Sequence, residues 1–190
     1  MDFTELLLKR RAVRDFLPKE VPLSLIHEIL ADTRFAPTAR NGQPCKFVIV
    51  RDRDWIWRLS RESKKALLKE IEANPSSPLA NYLDVLGNEH FNVFYNAPCL
   101  ILICVPRDLA SGDYDTALTA AYLMFAATSR GLGTCWIGLG SHIEDPATLK
   151  ELGIPADYRL AAPIILGYPR EIPAPSERHD PIILKILEQA

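Results

Sequence analysis

The sequence has no CxxC pair among its four cysteines, no membrane-length apolar run, no internal repeat and almost no net charge. Each absence excludes something. Cys45, Cys99, Cys104 and Cys135 are too scattered for a zinc ribbon or a dithiol redox motif. The last three lie inside apolar runs, where cysteine acts as a small hydrophobe. No run reaches the roughly 18 residues that a membrane span needs. A formal charge of −2 leaves no footprint of a nucleic-acid or membrane partner. The opening "MDFTELLLKRRAVRDF" turns from acidic to basic, the reverse of a secretory leader, so a cytoplasmic location is expected. Hydrolytic chemistry finds little support: the nearest match to a GxSxG elbow, "GLGSH", lacks a strand-turn-helix frame. His27, His90, His142 and His179 show no metal-ligand spacing, so no metal site is expected.

What is present is an ordinary globular composition, 48% hydrophobic and 24% charged over 190 residues. One domain spanning 1–190 with a sizeable core is expected. Periodicity predicts helices over Asp2–Arg11, over "PLSLIHEILADTRFA", over Trp55–Ala73 and over Asp115–Arg130. The last is too apolar for a surface helix, which suggests a central or interface position. "KFVIV", "PCLILICV", "GTCWIGL" and "YRLAAPIILGYP" predict four strands, the second covered on both faces. A fifth strand would have to come from a partner chain or the tail. Residues 74–92, rich in Pro, Ser and Asn, read as a loop leading into a short helix and serving as a variable lid. The tail ends in a predicted short amphipathic helix. Strands separated by helices give an α+β or α/β sandwich around a buried sheet.

Three stretches could carry chemistry. "KRRAVRDF" puts Lys9, Arg10, Arg11 and Arg14 at a predicted helix end, either as dipole-pairing cations or as forks for an anion such as phosphate. "FAPTARNGQPCKFVIV" leads Thr38, Asn41 and Gln43 straight into a strand. Their amide and hydroxyl groups suit sugar-like hydroxyls or a heteroaromatic edge, and Asn41 with Gly42 also suits a plain turn. In "RGLGTCWIGLG" the glycines bracket a strand. They do not open a helix after one, so a Rossmann dinucleotide fingerprint is rejected.

Together these stretches resemble the FMN-dependent nitroreductase family. "RRAVRDF" is similar to its "RRSxRxF", and "APTARNGQPCKFVIV" to its "APSxxNxQPWxFxVV". "RGLGTCWIG" matches the segment after its long central helix, and "LGYPREIPAPSERHDP" its closing "GYPxxxPxPxxR". Four motifs in order across the chain make the resemblance specific. It implies an α+β sandwich with a mostly antiparallel central sheet and a domain-swapped homodimer, with a C-terminal arm from about residue 168 to 190. It also implies a tightly bound FMN at the dimer interface. Arg10, Arg11, Ala12 and Arg14 would hold the phosphate and ribityl chain, with Arg178 from the tail. Pro37, Thr38, Ala39, Asn41 and Gln43 would come from the other subunit, and the backbone of Ile137, Gly138 and Leu139 would face the flavin ring.

The activity implied is ping-pong reduction of nitroaromatic, quinone or related small-molecule acceptors by NADH or NADPH, with no catalytic side chain because the flavin does the chemistry. Relatives with this fold that dehalogenate iodinated tyrosine or process flavin offer an alternative, as does a flavin-binding protein with little turnover. Three departures stand out. Ala12 replaces the family's Ser, Cys45 its Trp, and Ser176 a position often held by Lys; each bears on how firmly FMN is retained.

Overall fold

The computed structural model describes residues 2–188. At its centre is a four-stranded antiparallel sheet in the order β1-β2-β4-β3, formed by Lys46–Val50, Cys99–Pro106, Gly133–Trp136 and Tyr158–Gly167 numbered in chain order. Strand β2 pairs with both β1 and β4. Its Leu100, Leu102 and Cys104 enter one core with Leu59, Leu67 and Phe94, while Cys99, Ile101 and Ile103 enter a second with Ile26, Ala120 and Leu123. A strand buried on both faces needs no polar alternation, which accounts for the unbroken run "PCLILICV".

Helix α3 (Arg53–Ala73) covers the first face with help from α4 (Leu83–Gly87) and α6 (Pro146–Glu151), and α2 (Leu23–Thr33) with α5 (Gly112–Ser129) covers the second. The result is an α+β sandwich. Short carboxylates start several helices by accepting otherwise unpaired N–H groups. Asp2 and Glu5 form a reciprocal capping box on α1 (Phe3–Lys9), Asp52 accepts from Trp55 N at 2.9 Å, and Asp145 from Thr148 N at 2.8 Å. Residues 74–92 hold a 3₁₀ turn (Pro78–Tyr82) and the short α4. Their far end is tied to α3 by Lys64, whose Nζ donates to the carbonyls of Asn88 at 2.6 Å and Phe91 at 3.0 Å.

Two expectations need correction. The first helix stops at Lys9, not Arg11. Beyond it the chain runs extended, because Val13 N donates to Thr134 O at 3.0 Å and Leu17 N to Tyr168 O at 2.9 Å. Tertiary hydrogen bonds to the sheet end replace those of another helical turn. The predicted amphipathic helix in the tail is also absent: residues 171–188 form no helix or strand. Ile182, Leu184 and Leu187 are 87%, 95% and 82% exposed. With no apolar surface of this chain beneath it, so short a helix lacks the packing that would stabilise it. The tail adds no strand to the sheet, which has four strands among the described residues. No helix among them is long and apolar enough to cross a membrane.

Candidate functional site

The extended course of residues 10–14 decides where the arginines go. Ala12 bridges Thr134 on β3, so alternate side chains leave the strip on opposite sides. Arg10 and Arg14 fall on one side of the strip, where their charges reach the Cys135 thiol. Burial pushes that thiol up, and the two guanidiniums act against the shift. Arg14 also sits 6.0 Å from the ring centre of Tyr95, a residue at φ 57°. Arg11 goes the other way, with Lys9 and Val13, into a cavity of about 220 Å³ beside Thr128 and Gly131 at the end of α5. Its Nε is buried without a partner, as is Thr134 Oγ1.

The loop before β1 is held in an unusual shape. Arg40, Asn41 and Gln43 lie at φ 52°, 55° and 47°, while Gly42 is at −71°. Left-handed backbone costs a residue with a Cβ about 1–2 kcal/mol, so three such positions must be held from outside. The holder is Asp115, a residue the sequence analysis did not single out. Its carboxylate is 3% exposed and accepts Ala39 N and Ser111 Oγ, each at 2.8 Å. Thr38 Oγ1 accepts Gln43 N at 3.0 Å, and Gln43 Nε2 donates to Asn41 Oδ1 at 3.3 Å. Cys45, at the Trp position of the motif, is half-buried and receives Thr119 Oγ1 at 3.4 Å. Pro37, Ala39, Asn41 and Gln43 remain exposed at the surface.

The third stretch leaves the sheet after Trp136. Ile137 N donates to Pro163 O at 2.9 Å, and Gly138–Gly140 form a 3₁₀ turn. Among the described residues, the N–H groups of Gly138 and Leu139 have no intramolecular acceptor. A Cβ built on Gly138 meets nothing within 4 Å, so the surface there is an open cradle. Ser63 Oγ of α3 donates to Leu139 O and fixes the turn from behind; neither Ser63 nor Tyr95 carries a sequence signal that would have drawn attention.

One chain does not bring all these residues together. The 37–43 loop is fastened at Asp115, near the start of α5, and Arg11 lies beside Thr128, near its end. Thirteen helical residues separate those anchors by about 20 Å. Arg178 lies on the exposed tail, which no hydrogen bond or ion pair ties to the rest of the described residues beyond Arg170. Along α5, Tyr114, Leu118 and Tyr122 are exposed at four-residue steps, and Phe3, Leu7 and Leu8 of α1 are exposed as well.

The sequence matches the profile of the Nitroreductase family over residues 7–168. A protein of Archaeoglobus fulgidus provisionally named an NADH dehydrogenase/NAD(P)H nitroreductase is 25% identical over 173 residues, covering 88% of this chain and 85% of that one. An iodotyrosine deiodinase of Thermotoga neapolitana is 26% identical over 189 residues, covering 95% of each. Among solved structures, a Bacteroides fragilis nitroreductase with bound FMN shares the fold over the full length of both chains, at a TM-score of 0.82 and 23% identity. With a profile that runs from the first helix to the last strand, carried on the same fold, the chain belongs to the nitroreductase family.

Proposed function

We propose that the protein is an FMN-dependent oxidoreductase that uses NADH or NADPH to reduce nitroaromatic, quinone or related acceptors. The observation that supports this most is the pairing of Arg10 and Arg14 on one side of the extended strip. Two guanidinium forks there suit a phosphate, and no carboxylate among the described residues forms a salt bridge with either.

Bound FMN would supply the redox chemistry, accepting a hydride from the nicotinamide and passing electrons to an acceptor that takes the nicotinamide's place. The chain positions it. Arg10 and Arg14 bind the phosphate and ribityl chain by their guanidiniums, Arg11 and Ala12 line the same strip by main chain, and Arg178 adds a cation from the tail. The free N–H groups of Gly138 and Leu139, with Ile137 beside them, orient the ring edge. Pro37, Thr38, Ala39, Asn41 and Gln43 cover the flavin from a second subunit. A homodimer paired through α5 and α1, with exchanged C-terminal arms from about residue 168, joins the two halves that one chain keeps about 20 Å apart. Residues 74–92 act as the lid of a single domain. No side chain acts as nucleophile or obligatory acid.

A second reading has one observation in its favour. The Thermotoga relative is named an iodotyrosine deiodinase and covers 95% of this chain, against 88% for the Archaeoglobus relative. Steady-state oxidation of NADH and NADPH by the flavin-loaded protein, with a quinone and then a nitroaromatic, tests the proposal. Turnover with either acceptor supports it. Dehalogenation of 3-iodotyrosine by the chemically reduced protein, without NAD(P)H turnover, supports the second reading. Turnover in neither assay, with flavin bound, leaves a flavin-binding protein. Sedimentation as a single chain would contradict the shared site.

A further inference from the structure

The outward side of α3 carries a set of cations that the flavin site does not use. Arg61, Lys65 and Lys69 stand exposed at four-residue steps, so they share one face about 6 Å apart. Like charges at that spacing weaken a helix. None of them forms a salt bridge among the described residues, whereas Arg58 on the same helix is bound by Glu62 and Glu151. Together with Lys64 they line a cleft of about 730 Å³ between α3 and the end of α4.

Lys64 makes the cleft more than a solvated helix face. It is 7% exposed, and its ammonium has three donors, of which two go to Asn88 O and Phe91 O. The third has no protein hydrogen-bond acceptor among the described residues and is free for the cleft that Lys64 lines, with the Glu89 carboxylate near enough to act on the ammonium. Half-buried Leu68 gives the cleft an apolar floor, with Leu86 fully buried beneath it. Glu72 and Glu89 also line it, so four cations face two acids, an excess of two positive charges with acceptors for hydroxyl or amino groups.

We propose that this cleft binds a phosphorylated nucleoside, with its phosphate on Lys65 and Lys69 beside Lys64 and its ring over Leu68. A free nucleotide or the adenosine end of the nicotinamide donor carries the same chemistry. Only the second source rests on the flavin reading; the binding itself does not.

The probe is adenosine 2′,5′-bisphosphate, titrated calorimetrically into the protein as purified, into Lys65→Glu/Lys69→Glu and into Lys65→Gln/Lys69→Gln. Saturable binding is expected, weakened roughly tenfold or more by charge reversal and less by neutralisation. Adenosine without phosphate should bind at least about tenfold more weakly, and added salt should weaken the bisphosphate. The absence of saturable binding, or an equal affinity in all three proteins, overturns the proposal. If the probe binds, NADPH kinetics separate the sources. A raised KM with unchanged kcat in the charge-reversed pair assigns the cleft to the reductant. An unchanged KM, with probe binding still lost, assigns it to a free nucleotide. A protein that never takes up flavin still gives a clear probe result, so this proposal and the flavin reading fail separately.

Discussion

The buried carboxylate of Asp115, in the first turns of α5, accepts the backbone N–H of Ala39 at 2.8 Å across 76 residues of sequence. This bond turns a helix of the interior into the support of a surface loop. Its other oxygen is held by Ser111 Oγ, so the carboxylate cannot swing away to water without losing both.

Removing that support should loosen the loop. Asp115→Ala strands the Ala39 N–H and the Ser111 hydroxyl, and a stability loss of about 2 kcal/mol is expected by urea titration. FMN affinity should fall in parallel, because the left-handed positions at Arg40, Asn41 and Gln43 are no longer held. Asp115→Asn keeps one acceptor oxygen and should lose less on both measures. An alanine variant with unchanged flavin affinity would detach the loop from the cofactor site.

The two sides of the arginine strip should behave differently. If Arg14 holds the phosphate as proposed, Arg14→Ala should cost about 1.5–3 kcal/mol, roughly a 10- to 150-fold rise in the FMN dissociation constant. Arg11→Ala, whose side chain enters the cavity beside Thr128, should raise it far less. Fluorescence titration of apoprotein with FMN measures both. Equal losses would contradict the alternation of the strip.

Two glycines give opposite expectations. A Cβ at Gly133 would lie 2.7 Å from the Cβ of Val13, so Gly133→Ala overpacks the strip and should cost about 1–3 kcal/mol of stability. Gly138→Ala meets no atom and should leave stability within about 0.5 kcal/mol. It should nonetheless weaken flavin binding, because the new methyl group occupies the open cradle. Thermal unfolding and FMN titration of both variants separate packing from site.

Acidification offers a test of the α6 cap. The Thr148 backbone N–H holds the Asp145 carboxyl below the ordinary aspartate value of 3.8. A carboxylate depressed on folding stabilises the native state above its unfolded pKa and loses that contribution as pH falls through the folded one. Asp145→Asn caps without titrating. The stability advantage of the natural residue over this variant should be constant from pH 8 to 5 and should shrink below about pH 4. An advantage that does not change with pH would show that the charge plays no part.

Much of the fold was legible because burial leaves periodic traces. β2 reads from its unbroken apolar run, α3 from its one-sided pattern, and the three candidate stretches from residue types that ordinary connectors do not need. What was not legible depended on contacts distant in sequence. Nothing local ends α1 at Lys9; the hydrogen bond from Val13 to Thr134 does. The "ARNGQ" stretch read as a turn, but nothing local showed that Arg40, Asn41 and Gln43, and not Gly42, take the left-handed conformation. Asp115 appeared only as the first residue of a predicted helix, and its bond to Ala39 spans 76 residues of sequence. The apolar pattern of the tail promised a helix, but within one chain Ile182 to Leu187 have nothing to pack against.

The visible absorption spectrum of the purified protein, repeated after incubation with FMN and desalting, tests the cofactor assignment most directly. A retained flavin spectrum at about one FMN per chain is the predicted result, with Arg10 and Arg14 as its anchors. A colourless protein that also fails to take up FMN would contradict it, and would mean that Ala12, Cys45 and Ser176 have closed the site on an otherwise intact fold.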